Sequence, residues 1–340
     1  MVFLQPPDAT HLLGFVTLFL ASALLLLGLL SLAFVLRFRF KAQRSRFLAL
    51  RDFNSLWPVR IILVGSSFLW ALSELFRLPL LRQRGWLFYR LGSSQQAGLC
   101  RLHVAASLGL AEPCFFLAAV SLLRGSMQAG KGSGRWAAFL TMASCLPALA
   151  LHSFVAFGLP QLRRPRYLDH FFVESFGRPR HGGGTTGVWC SFPLLSTIIT
   201  AASGIAFVPY FLSLSWRMMD MVINRRLGVR VYGLSLTVLI SPAVHVCAMG
   251  VSVFWKGQDV EFQILAFLSF LSVCVCSAVA QIILVIMPIA DSLAVDSLIP
   301  ADDGTEKKPP HACVLHMGSL SPEDEDEDDG EELLLGPTQG

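Results

Sequence analysis

Seven long apolar stretches, almost free of charge, constrain this chain more than any other feature. They run approximately over 12–36, 61–81, 102–123, 136–159, 189–214, 231–254 and 262–290. A helix needs roughly 20 mostly apolar residues to cross a hydrocarbon core about 30 Å thick, and each stretch meets that length. Inside hydrocarbon the backbone has no water to bond, so such segments fold as helices packed into a bundle. The expected fold is all-α, a polytopic membrane protein. A seven-transmembrane helix bundle fills 12–290, a short outer N-terminus 1–11, and a cytosolic, disordered acidic tail 291–340. The second stretch is the weakest because it contains Glu74 and Arg77; six spans would follow if it were re-entrant. The seventh is long enough to tilt, and Pro288 near its end predicts a kink.

Composition agrees with this reading. Apolar residues make up 54% of the 340 and charged residues 15%, against roughly 25% charged in an ordinary globular domain. The charge is also unevenly placed. Residues 1–290 hold 25 Lys/Arg against 9 Asp/Glu, and residues 291–340 hold 2 against 14. A basic membrane body with an acidic tail excludes a secreted disulfide scaffold, a nucleic-acid reader and a disordered protein.

Orientation follows from the flanking charges. The first stretch carries an uncharged run of 25 residues, longer than the hydrophobic region of a signal peptide. It is followed by Arg37, Arg39, Lys41, Arg44, Arg46 and Arg51. The positive-inside rule then puts the N-terminus outside and the first loop, a basic helix extension on anionic lipid, in the cytosol. Across all loops the basic count is 14 cytosolic to 10 outer. With seven spans the acidic tail is cytosolic. Neither Asn54 nor Asn224 begins an Asn-X-Ser/Thr acceptor, so no glycan reports the topology.

Ionisable side chains within spans are costly, on the order of 3 kcal/mol each, so the few present are the candidate site. Glu74 and Arg77 lie three apart on one face of the second span. They are either a neutralised helix face with Arg77 snorkelling outward or part of a binding or coupling site. Glu112 falls near the middle of the third span in Ala111-Glu112-Pro113-Cys114. It must be protonated or paired there, and Arg77 is a candidate partner. Pro113 removes a backbone donor and frees a carbonyl one turn back. The two readings of Glu112 are an interhelical hydrogen-bond peg and a ligand or proton site. His152, His245 and Gln281 complete the inventory, with His245 the histidine placed in the candidate site. His103, at the outer edge of span three, reads as interfacial.

Enzyme signatures are missing. No His-Glu-x-x-His, paired histidine box, Gly-x-Gly-x-x-Gly or Walker loop occurs, so the expectation is a non-enzyme with no metal and no cofactor. Gly182-Gly183-Gly184 follows no strand, which argues against a phosphate cradle. Five of the eight cysteines (Cys114, Cys145, Cys247, Cys274, Cys276) lie in spans and serve as small hydrophobes. Cys100 and Cys190 face the outer, oxidising side, where they are free or bridged. A bridge would tie the loop 160–188 across the bundle mouth. That loop combines Arg163, Arg164, Arg166, Arg178 and Arg180 with Tyr167, Phe171, Phe172 and Phe176, a mixture suited to lipid headgroups or an anionic ligand.

The tail offers partner-binding features. Glu323 to Asp329 is an unbroken acidic run. Ser321 in Ser-Pro-Glu-Asp is a candidate acidophilic phosphosite. Asp329, Leu333 and Leu334 have the spacing of an acidic dileucine sorting signal. A solubilising charge brush is the simpler alternative.

Several local sequences carry a resemblance. Asp52-Phe-Asn-Ser-Leu-Trp57 with Arg60, Ala111-Glu-Pro-Cys-Phe115, Trp189-Cys-Ser-Phe-Pro193 and Ala290-Asp-Ser-Leu293 resemble a plant family of seven-span membrane proteins that are receptor-like by topology. The resemblance covers most of residues 50–295. It implies architecture and kingdom and little chemistry. Span three ends Leu122-Leu123-Arg124-Gly125 without Asp-Arg-Tyr, and Pro288 lacks a preceding Asn, which puts direct G-protein coupling in doubt.

The functional expectation is a receptor-like signalling or regulatory protein of the plasma membrane or an endomembrane. Its partners would be membrane lipid, a small ligand, and a cytosolic partner of the tail. A ligand site would form around Glu74, Arg77, Glu112 and His245, with Pro113 and Pro242 as flexible points. Two alternatives stand beside it. A secondary transporter, proton-coupled, suits intramembrane Glu and His, although the halves show no repeat. A non-catalytic scaffold would act through its loops and tail.

Overall fold

The computed structural model describes residues 7–44, 54–78, 81, 91–127, 134–159, 172, 175–177, 188–221, 225–255, 257 and 259–298. Ser321, Asp329, Leu333, Leu334 and the acidic run lie outside the described residues, as do the arginines of the loop 160–188.

Seven helices are long and apolar enough to cross a membrane. Helix α1 is Pro7–Arg44, and α2 is Trp57–Arg77, entered through a 3-10 turn at Asn54–Leu56. Helix α3 comprises Ser93–Val104, a π-helical segment Ala105–Ala111, and Glu112–Met127. Helix α4 is Gly134–Ser153 continued by a π-helical Phe154–Gly158. Helix α5 is Leu194–Met221 and α6 is Arg225–Ser252. Helix α7 runs Val260–Gln281, a π-helical Ile282–Ile286, and Met287–Leu298. The second stretch is thus a full helix. The seventh continues helically past residue 290, where the sequence had the tail begin.

The ends of these helices follow from local chemistry. Pro58 sits in the first turn of α2, where its missing N–H costs nothing. Leu78, ahead of Pro79, is extended and stops that helix. The fifth apolar stretch begins differently from its hydropathy. Pro193 immediately precedes α5, and Trp189–Cys190 pairs as a short strand, β2, antiparallel to β1, Phe176–Gly177.

Each π-helical segment ends two residues before a proline in the sequence: Pro113, Pro160 and Pro288. Proline lacks the N–H for the usual bond and its ring crowds the carbonyl four residues back. Widening the preceding turn to i→i+5 bonds relieves both problems and rotates what lies beyond. The Pro288 kink of the sequence reading is therefore a π-helical segment.

The helices form a closed bundle in which α1 packs on α2 and α7, α5 on α3 and α6, and α6 on α7. Helix α3 also packs on α2 and α4 and is the most buried of the seven, whereas α5 is the least. One half of the core gathers Phe38, Leu63, Phe115, Leu123, Phe211 and Leu234. The other stacks Trp70 on Phe270, ring centroids 5.4 Å apart. Outward faces carry large apolar side chains, such as Ile205 at 76% and Phe19 at 72% exposure. Polar side chains such as Ser67, Ser269 and Gln281 are inside. That inversion of a soluble protein's pattern suits a hydrocarbon solvent.

Candidate functional site

The ionisable residues converge on the bundle interior beside α3. Glu74 and Arg77 share the inner face of α2, and Arg77 Nε donates to Glu74 Oε2 at 2.9 Å. The pair closes over one helical turn, so little conformational freedom is lost. Arg77 Nη2 also donates to the Ala266 carbonyl at 3.3 Å, tying α2 to α7. His103 on α3 presents Nε2 to Glu74 Oε1 at 3.8 Å. Its Nδ1 donates to the Ser73 carbonyl at 3.0 Å. A carbonyl only accepts, so this bond fixes the tautomer and aims Nε2 at the carboxylate.

Glu112 forms the second half of the site. Its Oε1 lies 3.3 Å from His245 Nε2 on α6 and accepts from Ser107 Oγ at 3.4 Å. His245 Nδ1 lies 2.8 Å from Ser269 Oγ and 3.2 Å from the Ser269 carbonyl on α7. His103 therefore ties α3 to α2, and His245 of α6 bridges Glu112 of α3 to Ser269 of α7. Glu74, Glu112, His103 and His245 are all 5% exposed or less. The two halves sense one another, because His103 and His245 each interact electrostatically with both carboxylates. His152, 2% exposed on α4, interacts with Glu112.

The π-helical segment makes this convergence possible. His103 and Glu112 are nine residues apart, which at about 100° per residue would put them on opposite sides of an α-helix. The wider turns of Ala105–Ala111 swing Glu112 back toward the side of His103. Its signature is a spacing of five: the Glu112 N–H bonds the Ser107 carbonyl, and the Ser107 hydroxyl bonds the Glu112 side chain. Gly109 in the same segment lets α4 approach. A Cβ there would sit 3.0 Å from His152 Cβ and 3.3 Å from Leu149 Cα.

The four candidate residues Glu74, Arg77, Glu112 and His245 are thus brought together, with two corrections to the pairing. Arg77 bonds Glu74 rather than Glu112, because Glu74 is one turn away on its own helix and Glu112 is turned toward α6. His103 is buried against Glu74 rather than interfacial, because Ser93–Val104 extends α3 outward beyond the apolar run and leaves His103 inside. Ser107, Ser269 and Ser73 were not singled out by the sequence, since serines in apolar helices usually bond their own carbonyls. Ser67 and Ser235 do so here. The five-residue spacing of Ser107 and Glu112 before a proline was the available signal.

The strand pair packs against the end of the bundle at which α3 begins. Cys100 and Cys190 are disulfide-bonded, with Cα atoms 5.2 Å apart. Two residues on, Phe192 is buried among Val104, Leu108, Ala156 and Met249. Its ring centroid is 6.0 Å from that of His103 and 5.6 Å from Arg77 Cζ. The disulfide and Phe192 thus seat the extended segment directly over the Glu74, Arg77 and His103 group. Gln281 has a separate setting. It accepts from Ser31 on α1 at 3.2 Å and is not part of this group. Cys114, Cys145, Cys274 and Cys276 are buried thiols, and Cys247 is exposed.

Among the described residues no group of three or more His, Cys, Asp or Glu is arranged to hold a metal ion. Chemically the arrangement can hold and move protons, or exchange its internal ion pairs for those of a ligand, and either event would change which helices are tied together. A comparison with curated proteins finds no significant match. A family model matches residues 6–301, a stretch that holds all seven helices, and the chain belongs to that family, described as Uncharacterised conserved protein UCP031277.

Proposed function

We propose that the protein is a receptor-like signalling or regulatory membrane protein in which the Glu112–His245 contact between α3 and α6 is the switching element. One observation carries the reading. The buried ionisable residues are joined by contacts that cross helices, Glu112 to α6, Arg77 to α7 and His103 to α2. A static bundle needs no such groups, and their burial is costly. A ligand or a proton that alters the Glu112 pairing biases the position of α6 against α3. The π-helical turns beside Glu112 supply a helix with alternative registers.

The orientation is N-terminus out and C-terminus in. At the end of the bundle shared by the last turns of α1, α3 and α5 lie Arg37, Arg39, Lys41, Arg124, Arg217, Arg225, Arg226 and Arg230. The described residues at the opposite end include Arg101, Asp259 and Glu261. That asymmetry supports the orientation through the positive-inside rule, and the orientation in turn suits a disulfide, which needs an oxidising side.

The test is a distance. Fluorophores placed at positions 124 and 227, at the inner ends of α3 and α6, report their separation in lipid nanodiscs. Glu112→Gln and His245→Gln should each shift the distance distribution relative to the unmodified pairing. Identical distributions in all three proteins would sink the proposal. A second reading, a proton-coupled transporter, draws on the mutual electrostatic interaction of the two carboxylates with both histidines. Proton-dependent flux in liposomes, lost in Glu112→Gln, would favour it.

A further inference from the structure

We propose that the inner end of α6 carries a binding site for a phosphomonoester lipid headgroup, built from Arg225, Arg226 and Arg230. These arginines, with Val229, line an open crevice of about 800 Å³. Arg226 and Arg230, four residues apart, are neighbours on one face of the first turns of α6, and Arg225 joins them at the crevice rim. A phosphomonoester carries about −1.5 to −2 charges at neutral pH and three acceptor oxygens. Guanidinium groups match it with paired N–H donors. A phosphodiester lipid such as phosphatidylserine presents less phosphate charge and fewer free oxygens. The aligned dipoles of α6 add a positive potential at the same end.

The sequence of exposed residues along α6 argues for a lipid as the source of that phosphate. Val229, 65% exposed, lies among the arginines, and above them come Tyr232 at 60% exposure, then Leu236, Leu239 and Ile240. On the neighbouring α5, Trp216 is 67% exposed beside Arg217. The order guanidinium, aromatic ring, aliphatic chain reproduces water, headgroup layer and hydrocarbon. A headgroup in the crevice would have its acyl chains alongside the aliphatic stripe.

The site also has an internal competitor. Arg230 Nη1 donates to Asp291 Oδ2 of α7 at 2.7 Å, and Asp291 is 63% exposed. An exposed ion pair holds weakly, so a doubly charged phosphate displaces Asp291 from Arg230 and removes this one tie between the inner ends of α6 and α7. Because α6 also carries His245, the lipid would regulate the helix that reaches the buried site.

The experiment uses the full-length protein in phosphatidylcholine-containing micelles, with bound lipid read by native mass spectrometry. Phosphatidic acid and phosphatidylserine are added at matched total charge, and glycerol phosphate serves as the soluble competitor. Phosphatidic acid should be retained about tenfold better than phosphatidylserine, a difference expected of a bidentate, doubly charged phosphate. Substituting all three arginines with Gln should abolish that preference. Lys at the three positions, which keeps the charge and guards against misfolding, should reduce it several-fold. Asp291→Asn should strengthen retention, because Arg230 loses its competitor. Equal retention of both lipids would mean general electrostatic attraction and would overturn the proposal. So would a preference surviving in the Gln variant, or full displacement by glycerol phosphate at the lipid's own concentration.

Discussion

The Glu112–His245 contact can be tested as a pair with a defined energy. At 3.3 Å two opposite charges attract by about 5 kcal/mol at an effective dielectric of about 20. Burial takes most of that back, since each ion loses several kcal/mol of hydration. Polar contacts between helices in bilayers average about 0.6 and reach about 1.7 kcal/mol in double-mutant cycles, and charge assistance roughly doubles a hydrogen bond. A coupling of about 1–2 kcal/mol is therefore expected. The single variants should be unequal. Glu112→Gln leaves an imidazole that can remain neutral, with Ser269 still bonded to Nδ1. His245→Gln removes the cross-helix ion-pair partner of Glu112 and leaves its carboxylate the Ser107 hydroxyl at 3.4 Å and the more distant His103 and His152, and should cost the more, about 3 kcal/mol. Unfolding of the wild type, both single variants and the double variant in lipid nanodiscs would measure the cycle. Effects that add to within about 0.3 kcal/mol, or a Glu112→Gln variant less stable than His245→Gln, would refute the pairing.

Other consequences are independent of that cycle. Pro113→Ala restores a backbone donor, so the Ala105–Ala111 segment should tighten toward α-helix and carry Glu112 away from His245. The coupling above should then fall toward zero in a Pro113→Ala background, and an unchanged coupling would separate the proline from the π-helical register. Gly109→Leu should destabilise the protein by about 1–3 kcal/mol through overpacking, because the Leu149 backbone and His152 Cβ stand 3.3 and 3.0 Å from the position of a new Cβ. Thermal unfolding no lower than wild type would contradict the close approach of α3 and α4. Replacing both Cys100 and Cys190 by Ala opens a crosslink separated by 90 residues. The loop-entropy relation gives an upper value of about 4.6 kcal/mol. Helices that persist in the bilayer shrink the effective loop, so about 2–3 kcal/mol is expected. An unfolding midpoint that is insensitive both to reductant and to the double substitution would count against the bridge.

The residues of the site were legible because charge in an apolar helix stands out. Glu74, Arg77, Glu112 and His245 could be named from four exceptions to hydropathy. Their partners could not. On a helical wheel Glu112 and His103 point apart, and only the wider turns ahead of Pro113 reverse that. The sequence reading left Arg77 either to neutralise Glu74 on its own helix face or to partner Glu112, because the rotation of α3 was unknown. Hydropathy also carried the fifth stretch back to Trp189, because it weighs transfer into hydrocarbon and is blind to backbone conformation. Trp and Cys are as apolar in a strand as in a helix.

The sequence by itself determined the apolar centres of the seven helices, through a solvent requirement that acts residue by residue and needs no contacts, while the helix ends run beyond or fall short of those stretches. It also supplied the prolines that follow the three π-helical segments, but Pro147, Pro209 and Pro242 sit within regular α-helix, so the proline alone does not place such a segment. Tertiary structure alone decided which helices are neighbours, that Phe192 is seated over Arg77 and His103, and that Glu112 faces His245. Those depend on the rotation and depth of each helix, which are set by side-chain packing between segments up to 250 residues apart, as Ser31 and Gln281 are. Hydrocarbon gives a helix no rotational preference beyond keeping its polar side inward. Packing and the few buried hydrogen bonds choose the angle.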